Sequence, residues 1–134
     1  VICDLAGTYP ESYKQLYVLA GSVDPAAEKP ERWRQVLMVK PVRYLVPQAL
    51  RTSNDELFWL KADLYDLKPK LKNISGNVRI IHGTKDRLVP YSNVDFLKKA
   101  LTAAQKVDVV TIENADHFIP WSHYEIVLAA LINE

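Results

Sequence analysis

Strand-like and helix-like segments alternate along this chain, and that alternation constrains its fold more than any other feature. Residues 15–20 form a continuous apolar run, which is typical of a strand buried on both faces of a sheet. Residues 78–82 and 107–112 are two further strand patterns, and helix start signals follow them at residues 92–95 and 122–125. Strands separated by helices pair in parallel, with the helices packed on the faces of the sheet. The sequence therefore predicts an α/β fold with three parallel strands and flanking helices.

The segment between the first two strands has a different composition. Residues 24–73 contain five prolines and large apolar side chains at helical spacing. Pro30 suits the first position of a helix, and residues 53–56, Ser-Asn-Asp-Glu, match a capping box that would begin another. We expect residues 1–23 and 74–134 to form the core of one domain, with residues 24–73 as a helical insertion.

The charge and cysteine content exclude several classes of function. Seventeen Lys and Arg against sixteen Asp and Glu give a net charge of +1, so there is no basic field to hold a nucleic-acid backbone. The single cysteine, Cys3, excludes an intrachain disulfide and a zinc cluster built on thiolates. No apolar run approaches the roughly 18 residues of a membrane span, and no signal peptide opens the chain. We therefore expect no membrane span and a cytoplasmic location.

The beginning of the sequence predicts that the chain is part of a longer protein. Val1 opens an apolar, helix-like pattern that ends at Gly7 and Pro10, and the only methionine is Met38. A parallel sheet of three strands is also very small. We therefore expect a larger sheet, of which these 134 residues supply one part.

Two loops hold the residues that are most suited to catalysis, and each loop directly follows a strand. Asp86 lies in the loop after residues 78–82, and His117 lies in the loop after residues 107–112. In open parallel sheets, reactive groups sit beyond the carboxyl ends of the strands, so loops at adjacent strand ends meet. A carboxylate that accepts the Nδ1 proton of an imidazole fixes its tautomer and leaves the other ring nitrogen as a general base. We predict a hydrogen bond between Asp86 and His117.

These motifs resemble those of a known family, the α/β-hydrolase superfamily. Residues 82–90, HGTKDRLVP, and residues 116–118, DHF, are similar to its acid and histidine segments. Residues 4–11 resemble the helix that follows the nucleophile elbow, and residues 16–22 resemble the strand that leads to the lid. The resemblance covers essentially the whole chain, as the C-terminal half of that fold. It implies that the predicted pair is the acid and the base of a catalytic triad.

The nucleophile elbow of that family is missing from the sequence. An elbow needs glycines two residues before and two residues after the nucleophile, because the turn is too tight for a Cβ atom. The sequence has four glycines, and no two are four residues apart. The resemblance places the elbow upstream of Val1, so the 134 residues alone would be inactive.

The same resemblance implies that the longer protein is an esterase-like serine hydrolase, which needs no metal and no organic cofactor. An upstream aspartate nucleophile, as in epoxide hydrolases and haloalkane dehalogenases, is an alternative with the same fold. A non-catalytic binding or assembly module is an alternative of another class.

Other polar residues have simpler interpretations. His82 is interpreted as a packing and turn residue, Asp116 as a local turn residue, and His123 as a solvated residue at a helix start. Asp24 follows the first strand and is a second candidate for the acid, because some relatives place the acid there.

The resemblance also predicts what the chain contacts. It predicts that the insertion is a lid over an apolar pocket. A small-molecule substrate with a hydrophobic part is then predicted to contact Trp33, Phe58 and Trp59 of the insertion and Trp121, which follows His117. The free edge of the first strand is predicted to pair with the missing N-terminal half or with a second copy of the chain.

Overall fold

The computed structural model describes residues 2–28, 36 and 39–132. The predicted helix that would begin at Pro30, with its Trp33, lies outside the described residues. In chain order the elements are α1 (Ile2–Thr8), a 3-10 turn (Pro10–Ser12), β1 (Gln15–Leu19), α2 (Val42–Leu45), α3 (Gln48–Leu71), β2 (Asn77–Gly83), α4 (Ser92–Ala100), β3 (Lys106–Ile112), α5 (Ile119–Ser122) and α6 (Tyr124–Ile132).

The three strands form one parallel sheet in the order β1-β2-β3, which confirms the predicted arrangement. Val18 pairs with Ile80, and Ile80 pairs with Val109. β1 buries Leu16 and Val18, whereas the alternating side chains Gln15, Tyr17 and Leu19 are half-buried. The prediction that this strand is buried on both faces is therefore wrong. The reason is that β1 is an edge of the described sheet, and helices cover its second face only in part.

Helices cover both faces of the sheet, and each face has its own apolar cluster. Ile80 and Ile81 fall in different clusters because successive side chains of a strand point to opposite faces. On one face, α1, α3 and α4 pack on β1 and β2 through Cys3, Ala6, Leu16, Val18, Val23, Leu64, Leu67, Leu71, Ile74, Val78, Ile80, Val94, Leu97 and Leu101. On the other face, α5 and α6 pack on the sheet through Ala20, Ile81, Ile112, Ala115, Ile119, Val127 and Ala130.

Helix α1 packs closely on the C-terminal half of α3. A Cβ atom on Gly7 would lie 2.5 Å from the carbonyl oxygen of Lys70, so the two helices approach this closely only with glycine there. The Lys70 ammonium also forms an ion pair with Asp4. Its hydrogen bond lowers the pKa of the Asp4 carboxyl. Burial in the same interface raises the pKa of the Cys3 thiol, which therefore stays protonated at neutral pH.

The predicted start of the long helix in the insertion is wrong. Helix α3 begins at Gln48, directly after Pro47, so the capping-box segment at residues 53–56 lies inside the helix. Pro47 is the N-cap, with an extended ψ of 145°, and residues 48–51 after it (Gln-Ala-Leu-Arg) are good helix formers, so the helix is already formed when the chain reaches residues 53–56. Asp55 does not cap the helix; it accepts two hydrogen bonds, of 2.7 and 2.6 Å, from the Arg43 guanidinium.

The predicted start of the last helix is also shifted. Helix α6 begins at Tyr124, whereas Ser122 ends the short helix α5. The Ser122 hydroxyl donates a hydrogen bond of 3.0 Å to the carbonyl oxygen of Phe118, four residues back, and so does not cap α6. The start signal at residues 92–95 places α4 correctly, although no side chain caps that helix.

Asn93, in the first turn of α4, connects two loops at the carboxyl edge of the sheet. The side chain is fully buried, and its Oδ1 accepts hydrogen bonds from the backbone N–H groups of Val23 (2.8 Å) and Asp24 (2.9 Å). Its Nδ2 donates to the carbonyl oxygen of Pro90 at 3.0 Å. One amide therefore ties the loop that leaves β1 to the loop that follows β2.

Candidate active site

The side chains of Asp86 and His117 meet at the carboxyl ends of β2 and β3. β2 ends at Gly83 and β3 ends at Ile112, and the loops that follow lie side by side because the strands are parallel neighbours. The Oδ2 atom of Asp86 lies 2.8 Å from the Nδ1 atom of His117. The hydrogen bond that the sequence predicts is therefore present.

The Asp86 carboxylate is held from both of its oxygens. Its side chain has no solvent exposure, and Oδ1 accepts hydrogen bonds from the backbone N–H groups of Leu88 (2.9 Å) and Val89 (2.8 Å). These bonds fix Oδ1 and leave Oδ2 to the imidazole. With Nδ1 of His117 engaged, Nε2 is the ring nitrogen that can exchange a proton with another group. The His117 side chain is 31% exposed, so that proton exchange can reach a molecule outside the core.

Backbone hydrogen bonds join the acid loop to the histidine loop. The N–H of Thr84 donates to Ile112 at 3.1 Å, and the N–H of Lys85 donates to Ala115 at 2.9 Å. The Thr84 hydroxyl accepts from the N–H of Asn114 at 2.8 Å. Asn114 has a φ of 61°, a left-handed conformation that asparagine tolerates better than most residues. The distance between the two loops is therefore set by the backbone and not only by the Asp86–His117 bond.

Gly83 permits this close approach. A Cβ atom at this position would lie 2.4 Å from the carbonyl oxygen of Ala115 and 2.8 Å from that of Asp116, the residue before His117. Both atoms belong to backbone, which cannot rotate away as the end of a side chain can.

We expect Gly83→Ala to lower the free energy of unfolding by about 1–3 kcal/mol, because the new methyl group pushes the two loops apart. Urea denaturation measures this loss. Gly76→Ala is the control, since its Cβ would lie 2.9 Å from the ring edge of Tyr13 and 3.1 Å from the Lys14 carbonyl oxygen, a milder backbone contact than the 2.4 Å at Gly83. If the control variant were destabilised as strongly as Gly83→Ala, the close approach of the loops would not be the cause.

Comparisons with solved structures place this geometry in a known fold. The chain superposes on one of the metagenome-derived lipolytic enzymes LipS and LipT with a TM-score of 0.68 at 17% identity, covering 94% of this chain and 56% of that one. It superposes on a monoacylglycerol lipase from Paleococcus ferrophilus with a TM-score of 0.65 at 12% identity, covering 97% and 62%. It superposes equally well, at 0.65 and 16% identity, on the 2-hydroxy-6-oxo-6-phenylhexa-2,4-dienoate hydrolase BphD from Rhodococcus sp. strain RHA1, covering 95% and 57%.

The chain has the α/β-hydrolase fold. Its three parallel strands and flanking helices match the C-terminal portion of that fold, as the sequence predicts. The chain spans less than two thirds of the length of each of these structures. No protein-family model matches the chain, and no curated protein matches its sequence.

Aromatic side chains lie next to the exposed imidazole. The Phe118 ring packs edge-on against His117 with a centroid distance of 5.8 Å, and Trp121 lies 6.2 Å from Phe118. Trp121 is 79% exposed, and Leu88 in the acid loop is also exposed. Exposed aromatic groups therefore lie beside the imidazole.

The contact of Phe58 and Trp59 with a substrate stays a prediction. Phe58 and Trp59 are exposed on α3 and pack edge-on against each other, with centroids 5.1 Å apart. Within the described ranges, no ring contact joins them to Phe118 or Trp121. Trp33 lies outside those ranges, so its predicted contact stays a prediction.

The remaining polar candidates have local partners. The Oδ1 atom of Asp24 accepts a hydrogen bond from the N–H of Ala26 (2.9 Å), and the Oδ1 atom of Asp116 accepts one from the N–H of Phe118 (2.9 Å). His123 shares a hydrogen bond of 2.8 Å with Ser122. The turn interpretation of Asp116 fits this contact, and Asp24 has the same kind of local contact.

Sequence reasoning missed two contributors to the site. Thr84 and Asn93 hold the loops through hydrogen bonds to backbone, and their residue types carry no signal that distinguishes this role from ordinary turn or helix-start positions. Among the described residues, no three His, Cys, Asp or Glu side chains come close enough to hold a metal ion. No helix of the described chain has both the length and the apolar character needed to cross a bilayer.

Proposed function

We propose that these 134 residues supply the acid and the base of a serine hydrolase that cleaves ester bonds. We use the term complete enzyme for the polypeptide in which this chain is joined to a segment that carries the nucleophile and the oxyanion hole. The single observation that carries the proposal is the 2.8 Å bond between the buried carboxylate of Asp86 and the exposed imidazole of His117.

The proposed mechanism assigns one step to each group. The serine hydroxyl attacks the acyl carbon of the ester while Nε2 of His117 takes its proton. The imidazolium then protonates the departing alcohol, and a water activated by the same nitrogen releases the acid. Asp86 stabilises the imidazolium and keeps the proton on Nδ1, because its two backbone hydrogen bonds at Oδ1 leave Oδ2 facing that nitrogen.

An ester with an apolar part suits the surface beside His117. Phe118 contacts the imidazole, Trp121 lies next to Phe118, and Leu88 is exposed in the loop that carries Asp86. Two of the similar structures are described as a lipolytic enzyme and a monoacylglycerol lipase, which supports the same substrate class.

The lid is proposed to occupy only the first part of the predicted insertion. In α3, Leu64 and Leu67 are buried against the sheet, whereas Leu50, Leu57 and Trp59 nearer its start are exposed. The second half of the helix is therefore part of the core. The segment that precedes Leu64 is the part that is free to cover a bound apolar substrate.

Hydrolysis of p-nitrophenyl esters tests the proposal. We expect the complete enzyme to turn over the ester, and the 134-residue chain alone to show only the rate in buffer, because it provides no nucleophile and no oxyanion donors. Turnover by the chain alone would contradict the assignment of the nucleophile to another segment. A folded complete protein without turnover would favour a binding or assembly module.

The open edge of β1 is proposed to take up another strand. Within the described sheet, β1 pairs with β2 on one side only, so its other edge presents N–H and C=O groups beside an apolar core. The nucleophile-bearing segment or a second copy of the chain would pair here. Covering apolar surface contributes roughly 25 cal/mol per Å² to such an association.

We expect the purified chain not to be a stable monomer. Light scattering over a concentration series measures its mass, and we expect association that weakens on dilution. Addition of the nucleophile-bearing segment should replace self-association with a complex of the two chains. A compact monomer at every concentration would contradict the proposed pairing.

A further inference from the structure

A second histidine, His82, is buried against the candidate acid. It lies at the end of β2, its side chain is 1% exposed, and its ring packs edge-on against Tyr91 with centroids 5.7 Å apart. Its Nε2 atom lies 3.0 Å from the carbonyl oxygen of Val89 and 3.6 Å from Oδ2 of Asp86. The proposed mechanism does not use this buried titratable side chain.

The partners of Nε2 fix the position of its proton. A carbonyl oxygen can only accept a hydrogen bond, so the nitrogen that contacts Val89 carries a hydrogen. A polar N–H group therefore lies near the carboxylate oxygen that His117 uses. At 3.6 Å the Nε2–Oδ2 distance is too long for a hydrogen bond, but the positive end of the N–H dipole still attracts the carboxylate oxygen.

Val89 passes the effect of His82 to Asp86. Its carbonyl oxygen accepts from His82, while its own N–H donates to Oδ1 of Asp86 at 2.8 Å. The backbone of this one residue is therefore held at its carbonyl group by the histidine and holds one oxygen of the carboxylate through its N–H group. Because the carboxyl group is planar, fixing Oδ1 also fixes Oδ2, the atom that lies 2.8 Å from Nδ1 of His117.

We propose that His82 is a positioning residue for the Asp86–His117 pair. It touches no substrate; it acts by holding the Asp86–Val89 turn and by placing an N–H group beside the carboxylate. This inference rests on the proposed function only for its effect on turnover. Its effect on the Asp86–His117 hydrogen bond is independent of any activity.

Two substitutions at position 82 distinguish the effect of the donated N–H group from the effect of the volume of the ring. In His82→Gln, the side-chain amide can again donate to the Val89 carbonyl, whereas His82→Leu fills the space without a donor. We expect His82→Leu to lower kcat of the complete enzyme by about 10- to 100-fold with KM nearly unchanged, since a small misplacement of catalytic groups costs this much. We expect His82→Gln to restore kcat to within about fivefold of the wild type, because it re-forms the donated bond.

Nuclear magnetic resonance of the complete enzyme gives the second readout. The proton on Nδ1 of His117 exchanges slowly with water while Asp86 holds it, and we expect its signal to be lost by exchange in His82→Leu and kept in His82→Gln. Should His82→Leu fail to fold, His82→Asn takes its place, because its amide is too short to reach Val89.

The outcomes are distinct. A His82→Leu enzyme with wild-type kcat and a retained proton signal would overturn the inference. Equal losses of kcat and of the proton signal in His82→Gln and His82→Leu would also overturn it. A complete protein without esterase activity whose proton signal still responds to His82→Leu would contradict the proposed function and leave the positioning role supported.

Discussion

Replacing His117 with alanine in the complete enzyme is expected to lower kcat on the order of 10⁶-fold, as removal of a triad base does in serine hydrolases. The loss corresponds to about 8 kcal/mol of transition-state stabilisation. Its cause is that no other group then takes the proton of the nucleophile or returns it to the departing alcohol. Steady-state ester hydrolysis measures the change.

His123→Ala is the matched control for this substitution. His123 lies six residues further along the chain, and its side chain shares a hydrogen bond with the neighbouring Ser122. We expect its turnover to stay close to that of the wild type, because the side chain takes no part in the proposed proton transfer. A folded His117→Ala enzyme with near-normal turnover would show that His117 is not the base.

Replacing the acid is expected to have the second largest effect. We expect Asp86→Asn to lower kcat by about 10⁴-fold while the protein stays folded, because the amide keeps the size of the carboxyl group. The amide nitrogen would face Nδ1 of His117 as a donor, which moves the ring proton to Nε2, the nitrogen that must accept a proton from the nucleophile. Single-turnover and steady-state kinetics of the complete enzyme measure the effect.

Asp24→Asn is the control, and it also tests the second candidate for the acid. The Asp24 carboxylate contacts the N–H of Ala26 within its own turn. We expect a change of kcat of less than about threefold, because only a local turn bond is altered. If Asp24→Asn cost as much as Asp86→Asn, the acid would follow β1 and the proposed pair would have to be abandoned.

The sequence predicts the sheet and the Asp86–His117 contact because both follow from topology. Strands separated by helices must pair in parallel, and the loops after two paired strands then start from the same edge. Two polar residues shortly after the strand ends can therefore be placed together without knowing any side-chain contact.

Helix starts could not be predicted in the same way. Residues 53–56 have the composition of a capping box, yet the helix begins before them at Gln48, directly after the N-cap Pro47, because residues 48–51 already favour a helix. A capping pattern lowers the free energy of a helix start by about 1 kcal/mol, which continued helix and tertiary packing easily outweigh.

The residues that hold the two loops of the site in place could not be predicted from local sequence patterns, for a different reason. Asn93 sits at a helix start, where asparagine is ordinary, but its partners Val23 and Asp24 are about seventy residues away in the chain. Gly83 looks like a turn glycine, and only the packing of the two loops shows that a Cβ atom would meet the Ala115 carbonyl. Such roles depend on contacts between distant segments.

Covalent labelling of the complete enzyme tests the central claim most directly, namely that Asp86 and His117 activate a serine in another segment. The enzyme is treated with an alkyl fluorophosphonate, an electrophile that reacts with activated serine hydroxyls, and the adduct is located by peptide mass spectrometry. We predict a single adduct on a serine outside residues 1–134, formed far more slowly in His117→Ala and in Asp86→Asn. An adduct within residues 1–134, undiminished labelling in His117→Ala, or ester turnover without an adduct would contradict the claim.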